Sequence, residues 1–259
     1  MSAADLSGAM LGRLRRIPVV STRHFAAQRG RGGLQRAVMM RVSRHVDAQI
    51  AISHFVAEAI EGESTVVHAG VPEAEIRPVD RDRTVVVVQR LEKEKETEVA
   101  LEAWKSLGDL REGWRLVIVG DGSRRPALEA MTRAARITDS VSFAGFQSDI
   151  ASRLAAASIF VATAPREPYG LSVVEAMAAG TPVVATRAGG HLETVGSAPD
   201  AFLYAASDSR ALAEQLAALM ADPGRRRQYG DELRELQRSR FSLERQAEET
   251  SRVYQEVAS

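Results

Sequence analysis

The sequence predicts an α/β protein built on parallel sheets. Short, β-branched apolar runs alternate with segments of helical period along almost the whole chain, the pattern that crossover helices and doubly covered strands impose. A stretch of mixed charges and prolines from Val71 to Arg83 divides that pattern into a short first unit and a long second one. At 259 residues the chain has length for one large α/β domain or two smaller ones.

In the first unit, residues 17–21 read as a strand and 22–33 as a loop. Leu34, Val38, Val42 and Val46 lie four apart and make one apolar helical stripe. Residues 48–53 read as a strand, 54–61 as a helix and 65–68 as a short strand. The second unit opens with the four-valine strand 84–89. Helix 96–107, strand 114–119, helix 124–135, strand 141–144, helix 147–156 and strand 159–162 follow, then helix 170–179 and strand 182–185. Strand 201–204 and helices 209–221, 223–240 and 243–257 complete it. Asp222 is placed to cap the helix that has Pro223 at its first position, and Ser242 to cap the last one. The expected division is 1–76, a partial N-terminal domain; 77–83, a hinge; 84–240, a C-terminal domain; and 241–259, a helix crossing back to the first domain.

The chain has no cysteine, which excludes disulfides and thiolate metal sites. Its net charge of zero hides an asymmetry: residues 1–46 carry nine arginines against the single acid Asp5, a net +8 balanced by −8 in the remainder. Such a segment suits an anionic surface or polymer, or is a solvated face. Asp5, Arg13, Arg15 and Arg16 interrupt any signal-peptide core, and no apolar run reaches the roughly 18 residues of a membrane span. A cytoplasmic protein is expected, with peripheral attachment at the inner membrane face left open.

The densest chemistry lies in Glu167-Pro168-Tyr169-Gly170-Leu171-Ser172-Val173-Val174-Glu175-Ala176-Met177-Ala178-Ala179-Gly180. Two carboxylates stand eight residues apart, with a turn between them that opens a helix. Amides at a helix start, beside carboxylates that only accept hydrogen bonds, suit a ligand carrying both phosphate and hydroxyl groups. A nucleotide-sugar carries both.

This stretch closely resembles the glutamate-x7-glutamate signature of retaining glycosyltransferases with two Rossmann-like domains (GT-B fold, family 4). Four further segments match that family in order and spacing. Gln89-Arg90-Leu91-Glu92-Lys93-Glu94-Lys95 is similar to the family's Gly-Arg-Leu-x-x-x-Lys turn, whose arginine and lysine hold the donor diphosphate. A guanidinium forks onto phosphate oxygens, and an ammonium adds a mobile charge that stabilises the leaving group. Here Gln89 and Glu96 replace two of the usual glycines. Val119-Gly120-Asp121-Gly122-Ser123 resembles a glycine turn that lines the cleft. Val141 to Phe146 resembles the segment flanking the nucleotide base, and Ala188-Gly189-Gly190-His191-Leu192-Glu193 the floor of the donor site. Ser21-Thr22-Arg23-His24-Phe25 resembles the segment that brings a histidine near the transferred sugar, whereas the family's Asn-Gly-Val is Ala69-Gly70-Val71 here.

The resemblance implies an α/β GT-B protein with a complete C-terminal Rossmann-like domain after a partial N-terminal one. It implies a hexosyltransferase (EC 2.4 class) that moves a hexose from a nucleoside diphosphate-sugar, with UDP or GDP, to a hydroxyl acceptor that is a sugar, lipid-linked or small molecule. His24 and Glu167 become the candidate catalytic residues. Arg90, Lys95, Gly120, Phe146, Gly170, Leu171, Ser172 and Glu175 become the donor-binding ones, Glu175 taking the ribose hydroxyls. His45, His54, His68 and His191 read as structural. No cofactor and no nucleic-acid partner are expected. No metal is expected either: Asp80-Arg81-Asp82 has the acid-x-acid form of a metal site but lies in the expected hinge, and Arg90 with Lys95 supplies the charge. Two other classes stay compatible, a truncated donor-binding module without catalysis and a peripheral membrane or anionic-polymer binder acting through the arginine-rich segment. A pyridoxal-dependent phosphorylase would have only Lys93, Lys95 and Lys105 for its Schiff base.

Overall fold

The computed structural model describes residues 7–8, 11–12, 14–27, 33, 41, 46–74 and 81–258. Of the predicted helical stripe, Leu34, Val38 and Val42 lie outside the described residues, as does Asp80. The chain forms two compact units. The first joins residues 1–70 to 241–259, and the second is the continuous stretch 71–240.

In the first unit, strands β1 (Val20–Arg23), β2 (Ala48–Ala51) and β3 (Thr65–Val66) form a parallel sheet in the order β1-β2-β3. Helix α1 (His54–Ala59) follows β2, capped by the Ser53 side chain, which accepts the Val56 N–H at 3.0 Å. The first strand begins three residues later than its apolar run predicts. Pro18 has no N–H for a ladder, and the Val19 amide is taken by the Asp47 carboxylate at 2.8 Å, so pairing with β2 starts at Val20. The last helix, α8 (Leu243–Ala258), belongs to this unit: Val253 packs with Ile50 and Val67. The Gly70 N–H donates to Gln246 Oε1 at 2.8 Å, and Phe241 meets His68 edge-on at 5.5 Å between ring centroids.

The second unit begins at Val71, inside the stretch 1–76 assigned to the first domain and ahead of the expected start at 84: Gln237 is buried and donates to Val71 O at 3.0 Å while Arg238 pairs with Glu73. Strands β4 (Asp82–Val88), β5 (Arg115–Val119), β6 (Val141–Gly145), β7 (Ala157–Ala162), β8 (Val183–Thr186) and β9 (Phe202–Tyr204) build one parallel sheet ordered β6-β5-β4-β7-β8-β9. Asp82 and Arg83, expected in a hinge, therefore open a strand. Charge at the solvent end of a buried strand reads locally like a loop, and the ladder with Ala157 decides otherwise.

The helices of this unit are α2 (Thr97–Ser106), α3 (Arg125–Ala134), α4 (Ile150–Ala156), α5 (Leu171–Ala178), α6 (Ser209–Ala221) and α7 (Pro223–Arg240). They pack in two groups, α2 with α3 and α6, and α4 with α5 and α7, as doubly wound sheets require. Val85, Val86 and Val87 at the centre are fully buried, with Trp104 and Leu101 of α2, Ile118, Ile159 and Phe160 around them. The chain runs outward from β4 through β5 to β6, then returns to β7 beside β4. The crevice at the carboxyl ends of β4 and β7 is thus a topological switch point, where ligands bind in open α/β sheets.

Candidate functional site

Four segments converge on that switch point: the turn after β4, the loop after β7, the start of α5 and the short 310 turn Gly189–Leu192 after β8. They enclose a cavity of about 190 Å³ lined by Gln89, Arg90, Lys95, Glu167, Leu171 and His191, with Gly170 and Ser172 also on its wall. A cavity of that size is smaller than the roughly 300–1,000 Å³ of pockets for whole drug-sized ligands. It suits one part of a larger ligand.

Lys95 and Glu167, 72 positions apart in sequence, meet here. Lys95 Nζ donates to Glu167 Oε2 at 2.6 Å, and both side chains are mostly buried. The cavity therefore holds an ammonium and a carboxylate already ordered against each other, ready to be redirected by a charged ligand. Arg90 is exposed and pairs with Glu94, four positions on in the turn after β4, at 2.8 Å, an exposed interaction of little net worth that leaves the guanidinium free to turn.

The start of α5 supplies donors. Gly170 precedes the helix at φ +90°, a conformation that favours glycine, and a Cβ there would also press on the His191 ring, 3.0 Å from Cδ2. The amides of Gly170, Leu171 and Ser172 donate to no acceptor among the described residues. Together with the partial positive charge of the helix end they make a surface with the chemistry to take an anion. The Gly190 N–H donates to Glu167 O at 2.8 Å, and the glycine pair lies so close beneath residues 167–169 that a Cβ on either glycine would collide with that backbone.

The remaining predicted residues fall elsewhere. Gly120, at the end of β5, does not line the cavity: at φ +128° it lets the turn after β4 pass so closely that a Cβ would strike Gln89 O. Phe146 follows the edge strand β6 and is 82% exposed. Glu175 faces a second cavity of about 690 Å³, shared with Pro72, Ser148, Ile150, Ala151 and Ala178. Burial there raises its carboxyl above the ordinary range. His24, in the first unit, is exposed just past β1. The loop it sits on is fastened by Arg23, which pairs with Glu61 at 3.1 Å and donates to Gln49 Oε1 and Ala27 O.

Sequence reading missed three contributors. Gln89, a departure from the expected glycine, is a crosslink: its side-chain amide donates to Thr97 Oγ1 and Thr163 Oγ1, both at 2.9 Å, and lies 3.2 Å from Lys95 O. Thr163, two positions before Pro165, gave no signal of its own. His191, read as structural, lines the cavity with its ring 1% exposed. Its imidazole Nδ1 lies 2.8 Å from Thr186 Oγ1, and burial drives its pKa down to about 4 against the nearby Glu167 carboxylate, which pulls it up.

The sequence profile of the family described as Glycosyl transferases group 1 matches residues 73–236, well over half of the chain. The chain is 28% identical over 264 residues to lipopolysaccharide core biosynthesis mannosyltransferase LpcC of Rhizobium leguminosarum bv. viciae, which covers 95% of this chain and 74% of that protein. It is 30% identical over 261 residues to glycogen synthase of Mycobacterium tuberculosis (92% and 63%) and 32% identical over 173 residues to the putative glycosyltransferase EpsD of Bacillus subtilis (67% and 45%). It thus spans less than two thirds of the length of the latter two. Among solved structures, Anabaena Alr3699/HepE in complex with UDP and glucose superposes on all of this chain and 76% of its own, with a TM-score of 0.82 at 21% identity. Sucrose-phosphate synthase from Thermosynechococcus elongatus superposes on 97% of this chain and 71% of its own, with a TM-score of 0.79 at 24% identity. The fold is accordingly the parallel-sheet α/β fold of GT-B glycosyltransferases. With the profile spanning the six-stranded sheet, the smaller cavity and the paired glutamates, the chain belongs to the glycosyl transferases group 1 family.

Proposed function

We propose that this chain is a retaining glycosyltransferase of family 4 that moves a hexose from a nucleoside diphosphate-sugar to a hydroxyl acceptor. The observation that carries the reading is the cavity in which the Lys95–Glu167 pair, Arg90 and the free amides of residues 170–172 converge. Cations and amides suit the diphosphate, and Glu167 suits hydroxyls of the transferred sugar. Glu175 takes the ribose hydroxyls from the larger cavity, so the nucleoside and the diphosphate-sugar divide between the two spaces.

In the proposed reaction the bond from the anomeric carbon to the phosphate oxygen breaks as the acceptor oxygen bonds the same face of that carbon. The acceptor proton passes to the departing phosphate. Lys95, Arg90 and the helix start stabilise the charge that develops on the phosphate as it leaves. The reading calls for no cofactor and no metal, because these groups supply the positive charge. His24 enters only through the family resemblance, in which a histidine after an equivalent strand lies near the transferred sugar.

The test is calorimetric titration with UDP and with GDP. One of them is expected to bind at micromolar level, and Arg90→Ala and Glu175→Ala are each expected to weaken it about tenfold or more. A folded protein that binds neither nucleotide overturns the reading.

A further inference from the structure

We propose that His191 is a sugar-recognition residue, its Nε2 accepting a hydrogen bond from a hydroxyl of the donor's transferred sugar. The inference rests on the donor-site reading above and adds a contact to it.

One proton sets the tautomer of the ring. Thr186 Oγ1 donates to Ala164 O at 2.7 Å, which uses its only hydrogen. The same oxygen lies 2.8 Å from His191 Nδ1, so the hydrogen between them belongs to the imidazole and Nδ1 is the donor. In the neutral ring Nε2 is then bare and can only accept. Burial keeps the ring neutral at pH 7. Nε2 has no hydrogen-bond partner among the described residues, although the ring is 1% exposed and lines the cavity.

The other polar groups of the cavity sort by role. Arg90, Lys95 and the amides of residues 170–172 donate, which suits phosphate oxygens. Glu167 also accepts, with Oε2 taken by Lys95 and Oε1 left for a hydroxyl. A bare nitrogen lone pair has nothing to gain from a phosphate, whose oxygens also only accept. It needs a donor, and the hydroxyls of the transferred sugar are the donors such a ligand brings to this end of the site. Gly170 leaves the ring this room: a Cβ at that position would stand 3.3 Å from Nε2.

The experiment compares the free nucleotide with its sugar conjugate. Calorimetry of wild type and His191→Phe with UDP, UDP-glucose, GDP and GDP-mannose is expected to show unchanged affinity for the nucleotide that binds. The affinity for its sugar conjugate should fall about tenfold, and His191→Gln, which can present an amide oxygen near the Nε2 position, should restore part of it. Equal loss for nucleotide and conjugate, or no loss for either, overturns the proposal. Wild-type protein that binds neither nucleotide overturns the donor-site reading itself, a distinguishable failure. A readout that needs no variant is the nitrogen NMR spectrum of the histidine ring in the wild type. Nε2 should resonate as the unprotonated nitrogen and shift on adding the sugar conjugate but not the nucleotide alone; a protonated Nε2 in the free protein overturns the proposal.

Discussion

Glu175 is held in a position that costs the free protein stability. Its carboxyl is partly buried with desolvation as the cause of its raised pKa, and no cation opposes that cause. A carboxyl whose folded pKa is raised favours the folded state least when it is ionised, so the cost is present at pH 7 and disappears as pH falls through the raised pKa toward 4.5 and below. Glu175→Gln is therefore expected to raise the melting temperature at pH 7 by about 1–2 °C, allowing for its partial exposure. The gain should vanish near pH 4, while nucleotide binding is weakened at every pH. Thermal melts at the two pH values check this, and an unchanged melting temperature at pH 7 would contradict it. The residue scale is also where the sequence was least legible. Arg90, Lys95, Glu167 and the Gly170 turn were readable because their chemistry and spacing are specific. Gln89 and His191 were not, since their roles depend on which side chains the sheet brings beside them: Thr163 for one, Thr186 and Ala164 for the other.

At the scale of elements, most helices of the second unit were readable to within a residue, the exception being α4, which starts at Ile150 behind its Asp149 cap rather than at 147. Helices α6 and α7 have the bounds their sequences predict, Asp208 accepting the Ala211 N–H and Asp222 the Arg225 N–H, each at 2.9 Å. Strand ends were harder, because a ladder is set by its neighbour; β4 gained Asp82 and Arg83 in that way. Just before β4, Arg81 does what no local pattern announces. Its guanidinium donates to Ala155 O, Ala157 O and Thr181 Oγ1 at 2.8–3.0 Å and to Ala179 O at 2.7 Å, closing the carboxyl ends of both α4 and α5. Those helix-end carbonyls have few other partners. Arg81→Met is expected to cost about 2–4 kcal/mol in urea unfolding, because several partly buried acceptors lose a charged donor together. A cost below about 1 kcal/mol would mean that water replaces the guanidinium freely.

At the scale of the whole molecule, the two units differ in how the chain makes them. The second is one continuous stretch with its own six-stranded sheet and core. The first is assembled from both ends of the sequence, and Val253 of α8 completes the small apolar cluster with Ile50 and Val67. A fragment of residues 71–240 is expected to melt cooperatively and to keep the nucleotide affinity of the full chain, measured by circular dichroism and calorimetry. A fragment ending at residue 70 should show no cooperative transition, having lost a third of that cluster and the Gln246 contact to Gly70. The general architecture was plain from alternating strands and helices. The joining of α8 to the first sheet depends on contacts between residues nearly 200 positions apart, which no window of sequence displays.

That split has a consequence for synthesis on the ribosome. At about 5–20 residues per second, roughly 10–40 seconds separate the emergence of residue 70 from that of residue 241 and the helix after it. During this interval β1, β2 and β3 are outside the tunnel with their apolar side chains waiting for a helix not yet made. The larger unit, complete at residue 240, can finish folding first. Residues 20–66 are thus made before residues 71–240 but settle after them, and their short strands are what a holding chaperone would meet.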